Sequence, residues 1–291
     1  MLRRITLPLV VDLLIVDSPK MMTEIDAYPS VTRDFSSSSA WPVRLLGRRF
    51  RRIASLGGSL LPALLPREDA TREARSALLR QRLRDDGSGV VLLPAEVAWL
   101  AAYVRGGHDD EKMAQHLQGL VGRQFLPNYS ADATSLRDAR LIDRALRSGP
   151  LRSLWWRLIG TVTRARRRIG RACDGDIYAA HGTVIAVHNL IDSMRNMRRL
   201  YTDASTHVLP LSEIVDRTLV PPRTVLRTVS AQINAPFLPR SLTRNSLIVF
   251  KTKPGAGADA ALAQGRWSAC PAHGLVRRLL SEVWVQAIVT S

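Results

Sequence analysis

Across residues 177–201, apolar side chains recur every three or four positions: Ala180, Val184, Val187, Ile191, Met194 and Tyr201. That period puts them on one stripe of an α-helix, and a stripe this long must be buried over most of its run. A chain built on such a segment has to wrap other helices around it. The flanking sequence supplies them. Residues 68–84 mix Ala, Leu, Glu and Arg and stop at Asp85-Asp86-Gly87-Ser88-Gly89. Pro94 suits a first helical position, ahead of Val97, Leu100, Ala101 and Val104. Asp109-Asp110-Glu111 places acids at the positive end of a helix whose inner face is Met113, Leu117, Leu120 and Val121. Residues 135–146 and 151–169 also read as helices. The second carries Trp155 and Trp156 on one side and Arg164, Arg166, Arg167 and Arg168 on the other. A last helix is expected over 271–288.

Beyond residue 201 the pattern changes. Residues 224–229 and 247–250 are short and rich in β-branched side chains, which favours strands, and Gly255 and Gly257 mark a loop. The apolar run 9–16 is too short for periodicity to choose between strand and helix. The expected fold is therefore mainly α with a small β-sheet in the C-terminal third. Residues 1–60 are expected to be an irregular N-terminal segment and 61–291 a single mainly helical domain.

Forty-two basic residues face 25 acidic ones, a net charge of +17, and the only lysines are Lys20, Lys112, Lys251 and Lys253. Such a charge suits nucleic acid, an anionic membrane surface, an acidic protein or an anionic cofactor; it also follows from an arginine-rich coding bias. Two cysteines, Cys173 and Cys270, exclude a disulfide framework. The N-terminal apolar run is interrupted by Pro8 and Asp12 and lacks a small-residue cleavage site, so neither a membrane span nor a signal peptide is expected, and the reading is a cytoplasmic protein.

Residues 267–280 hold the most informative constellation, Trp-Ser-Ala-Cys-Pro-Ala-His-Gly-Leu-Val-Arg-Arg-Leu-Leu. Pro271 fits the first turn of a helix, which makes Cys270 its N-cap. Free amides at a helix start lower a thiol's pKa and favour the metal-binding thiolate. One thiolate offered before a buried helix suits an axial ligand of haem iron. The plainer alternative is a small buried hydrophobe at a helix start.

Cys270-Pro271-Ala272 followed by an amphipathic helix resembles the haem-binding loop of the cytochromes P450. The likeness extends upstream in the same order. Glu213 and Arg217, then Pro221-Pro222-Arg223-Thr224-Val225-Leu226-Arg227, are similar to the family's Glu/Arg helix and the strand after it. Ala179-Ala180-His181-Gly182-Thr183 looks like the oxygen-binding helix. The similarity covers residues 175–290. It implies a truncated P450-like fold holding haem (iron-protoporphyrin), with Cys270 as metal ligand. Thr183, Glu213 and Arg217 then take the family's catalytic positions. Arg223, Arg227, Arg266 and His273 would be cofactor-binding, the arginines pairing with the propionates. The implied activity is that of a monooxygenase or peroxygenase acting on an apolar small molecule, with an electron-donor protein as partner. A degenerate relative without enzymatic role has the same sequence features.

A rival reading uses overlapping residues. Positions 211–233 can form a helix-turn-helix whose second helix offers Arg223, Thr224 and Arg227 to a DNA groove, making the chain a transcriptional regulator. The two readings differ on whether residues 223–230 are extended or helical. Histidine spacing gives no zinc site, and Asp174-Gly175-Asp176 is a turn rather than a calcium loop.

Overall fold

A computed structural model describes residues 2–7, 11–35, 38, 41–56, 60, 65–84, 87–148, 160–220, 224–238, 240–252, 270 and 272–290. The chain divides into two compact units. One joins Met1–Arg52, Pro62–Ser76 and Pro221–Cys270; the other joins Ile53–Leu61, Ala77–Val220 and Pro271–Ser291.

The first unit is organised by a five-stranded sheet in the order β1-β2-β5-β4-β3. Its strands are β1 (Leu2–Leu7), β2 (Val11–Val16), β3 (Val31–Thr32), β4 (Thr224–Val229) and β5 (Leu247–Lys251). β2 and β5 run parallel, with Leu14 opposite Ile248 and Val16 opposite Phe250; the other neighbours are antiparallel. Three strands thus come from the first 32 residues, so the sheet is not confined to the C-terminal third and residues 1–60 are not irregular. β5 is the cause: with Ile248 and Phe250 buried, its backbone groups need partners on both edges, and the run 11–16 supplies one edge. Helix α1 (Pro19–Ala27) packs Met22 and Ile25 into the same core as Leu14, Val31 and Val229. Helix α2 (Trp41–Ala54) follows in this segment.

β4 decides between the two readings of residues 211–233. Leu219 is extended after the preceding helix (φ −63°, ψ 126°), and residues 224–228 pair one by one with β5. The DNA-reading second helix does not form. Pro221-Pro222 stops helical propagation, and Thr224, Val225, Thr228 and Val229 prefer the pleated backbone.

The second unit is helical. It contains α4 (Pro94–Val104), α5 (Asp110–Arg123), α6 (Ala133–Arg147) and α7 (Thr161–Ala172). The long periodic segment follows as α8 (Ile177–His181), a π-helical turn Gly182–Ala186 and α9 (Val187–Tyr201). Then come α10 (Leu211–Thr218) and α11 (His273–Val289). Helix α3 (Ala70–Leu83) contributes Leu79 and Leu83 to a cluster with Tyr178 and Leu275. Local chemistry sets the boundaries. Asp109 caps α5 by accepting from the Lys112 amide at 2.8 Å, and Pro94 occupies the first turn of α4. Asp176 starts α8 by accepting from the Tyr178 and Ala179 amides at 2.8 and 2.9 Å. Asp174 and Gly175 just before it are left-handed (φ 47° and 72°), the turn that Asp174-Gly175-Asp176 predicts. Trp155, Trp156 and the loop glycines Gly255 and Gly257 lie outside the described residues.

Candidate functional site

Thr183 sits in the π-helical turn that divides the long helix. Gly182 lets Val121 of α5 and Phe125 just after that helix come close to this turn, since a Cβ there would meet Val121 Cγ1 at 3.0 Å and Phe125 Cε2 at 3.3 Å. A π-turn shifts the backbone ladder by one residue and leaves carbonyls seeking other donors. Gln118 of α5 supplies one: its Nε2 donates to the Thr183 carbonyl at 3.1 Å and to the Ser135 carbonyl at 3.2 Å. The Ser135 hydroxyl donates to Gln118 Oε1 at 3.0 Å, so the fully buried amide is held at both ends. The Thr183 hydroxyl donates to Ala179 O at 2.8 Å, four residues back.

That hydroxyl lies 3.8 Å from Cys173 Sγ, and both side chains are fully buried. Burial pushes the Cys173 thiol up to about 11, so this sulfur is a protonated core group. Ile142, Ala165, Ile169, Ala180 and Val184 pack around it.

Cys270 is different. It is half-buried and ends the sheet unit, and α11 opens at His273 with Ala272 as N-cap. Cys270 therefore precedes the cap rather than being the cap. The reason is local: Ala272 adopts φ −103° and ψ 18°, a turn inserted ahead of the first helical residue. The helix behind it is well anchored, with Leu275, Leu279, Leu280 and Val283 buried. Arg277 Nη2 donates to Asp216 Oδ1 of α10 at 3.1 Å. His273 is half-buried in the first turn.

Glu213 and Arg217, four apart on α10, share a face: Arg217 Nη2 donates to Glu213 Oε1 at 2.6 Å. The pair is about half exposed (side chains 50% and 42%), so it anchors little on its own. Arg223 and Arg266 lie outside the described residues. Arg227 is the largest fully buried side chain. Its Nε donates to Asp26 Oδ1 at 2.8 Å, with 2% and 0% of the two side chains exposed, and its Nη1 donates to Leu226 O at 3.1 Å. Nearby, burial and the Arg227 charge hold the Arg33 guanidinium well below its usual range. The sheet unit thus has an electropositive interior around Asp26.

Arg227 and Cys270 belong to the sheet unit; Thr183, Glu213, Arg217 and His273 belong to the helical unit. Sequence reasoning missed Asp26, Arg33, Gln118 and Cys173. A signal existed for Asp26, which interrupts the buried face of α1 beside Met22 and Ile25; a carboxylate on an apolar stripe asks for a buried cation. Gln118 carried none, because the π-turn it serves is a tertiary feature. Among the described residues no cluster of His, Cys, Asp or Glu could hold a metal ion by itself, and no helix is long and apolar enough to cross a membrane.

No protein-family model and no curated protein sequence matches the chain. Solved structures do. CYP154C4 from Streptomyces sp. ATCC 11861 is 14% identical, with a TM-score of 0.60 over 99% of this chain and 84% of that one. The cytochrome P450 PksS of the Bacillus subtilis 168 bacillaene polyketide synthase is 10% identical, with a TM-score of 0.60 over 99% and 85%. The mycinamicin VIII C21 methyl hydroxylase MycCI from Micromonospora griseorubida is 13% identical, with a TM-score of 0.59 over 99% and 85%. Helices dominating a small sheet, a long helix broken at a threonine and a strand after the Glu/Arg helix are accounted for together: the chain has a cytochrome P450-like fold.

Proposed function

We propose that this protein is a haem-thiolate oxidoreductase, of monooxygenase or peroxygenase type, in which Cys270 would hold the iron. The observation that carries the reading is the contrast between its two cysteines. Cys173 is sealed in packed hydrocarbon with its thiol raised to about 11, whereas Cys270 is partly accessible just ahead of a buried helix. Only the second can reach a metal without dismantling the core. The donor set fits haem: one sulfur outside the packed core, a surplus of arginine for two propionates, and a fold shared with haem-thiolate proteins.

Haem bound through a thiolate supplies activation of dioxygen or peroxide for oxidation of an apolar substrate. The chain's own residues take the remaining roles. Arg223 and Arg266 are assigned the direct propionate contacts. Arg227, whose Nε is committed to Asp26, contributes positive potential to the cofactor-binding set. His273, in the first turn of α11, joins the cofactor-binding set. Thr183 would supply a hydroxyl to the oxidation chemistry: its proton is held at Ala179 O and its carbonyl accepts from Gln118. Glu213 and Arg217 keep α10 registered, with Asp216 tying that helix to Arg277 of α11. The substrate is an apolar small molecule, and the monooxygenase form requires an electron-donor protein. Titrating the haem-free protein with haemin tests the assignment: wild type and Cys173→Ala develop a stoichiometric Soret absorbance and Cys270→Ala does not. Equal binding by Cys270→Ala would refute it.

A further inference from the structure

Helix α2 presents a face that nothing among the described residues covers. Val43 and Gly47 are buried, but Trp41 is 61% and Leu45 52% exposed. Trp41, Leu45, Arg48 and Arg52 are spaced four, three and four apart, so they form one outward stripe about 16 Å long at 1.5 Å per residue. Arg48 and Arg52 are exposed as well. Arg44 and Arg51 flank the stripe, and the helix contains no acidic residue. Arg51 meets Asp34 at 3.7 Å, while Arg44, Arg48 and Arg52 form no ion pair among the described residues.

Arginines alone would describe a solvated face. A tryptophan and a leucine set into the same stripe do not, because water is their least favourable neighbour and Trp belongs at an apolar–polar boundary. An amphipathic helix with Arg on its polar side and Trp and Leu beside them lies in the plane of a membrane interface. A polyanion such as nucleic acid would engage the arginines and leave Leu45 without a role. The net charge of +17 adds long-range attraction to any anionic surface.

We propose that α2 docks this protein on an anionic lipid bilayer. Trp41 and Leu45 enter at headgroup level, and Arg44, Arg48 and Arg52 pair with lipid phosphates and carboxylates. The attachment is peripheral, and it does not depend on haem binding.

Co-sedimentation of the full chain with phosphatidylcholine vesicles, with and without phosphatidylserine at about three parts in ten, is the test. Wild type partitions onto the phosphatidylserine vesicles and not onto pure phosphatidylcholine, and added salt releases it. Arg48→Glu/Arg52→Glu lowers partitioning by about thirtyfold or more, at roughly fivefold per arginine. Trp41→Ser/Leu45→Ser lowers it by about tenfold while melting as wild type does, since both side chains are exposed. Undiminished binding by the Trp41/Leu45 variant would overturn the proposal, reducing the contact to charge alone. So would a wild-type protein that ignores phosphatidylserine vesicles yet binds duplex DNA through the same arginines.

Discussion

Asp26 and Arg227 carry the largest electrostatic stake of any two side chains in the sheet unit. Each is almost wholly out of water, and each is the other's counter-charge at 2.8 Å. Asp26→Ala withdraws the buried carboxylate from Arg227, which costs about 3–5 kcal/mol, whereas replacing both with apolar residues of similar volume costs less. Urea unfolding should therefore show Asp26→Ala as severely destabilised and Asp26→Leu/Arg227→Met as closer to wild type; equal losses in both would contradict the pairing. Cys173 gives a second residue-scale expectation. Its folded thiol titrates near 11 against an ordinary 9.0, so between those values the unfolded chain ionises first and folding stability falls as pH rises. In the haem-free protein at pH 8, iodoacetamide should label Cys270 and spare Cys173, with both labelled in denaturant. Labelling of Cys173 in the native state would contradict its burial.

At the scale of elements, the α5–α6 connection is set by a near-contact as well as by the Asp132 cap of α6. A Cβ on Gly122 would overlap the Tyr129 ring, which is itself buried. Gly122→Ala should lose about 1–3 kcal/mol by thermal or chemical melting, despite the higher helix propensity of alanine; a stabilised variant would show that the ring gives way freely. Much of the helical unit was legible in the sequence, and for local reasons. Pro94, Asp109 and Asp176 act within one turn of themselves, and the stripe from Ala180 to Met194 needs only its own period to be read. The π-turn was not legible, because Gly182 and Thr183 are unremarkable until Val121 and Gln118 of α5, and Phe125 just after it, are brought against them. The helix-or-strand choice at 224–229 followed from propensity and the Pro221-Pro222 stop, which act in the same direction.

At the scale of the molecule, the sheet is where sequence reading ends. β2 pairs with β5 across more than two hundred residues of chain, and β1 carries Arg3, Arg4 and Thr6, which blur any alternation. Such pairing is fixed by closure of the fold, not by local pattern. The family resemblance, by contrast, rested on order along the chain: threonine helix, Glu/Arg helix, strand, cysteine, last helix. That order is the part of a fold that a single sequence retains, and the elements follow it: α8 with its π-turn, α10, β4 and α11. Of the proposed site, the sequence singles out Cys270 through its place before the last helix; the arginines proposed for the propionates could not be ranked, because arginine is abundant everywhere in this chain.

The most direct test of the central claim is the absorption spectrum of haem-loaded protein, reduced and exposed to carbon monoxide, for wild type, Cys173→Ala and Cys270→Ala. The account predicts the strongly red-shifted Soret band of a thiolate-ligated carbonyl in the first two and its loss in the third. A histidine-type spectrum in wild type, or a red-shifted band that survives in Cys270→Ala, would contradict it.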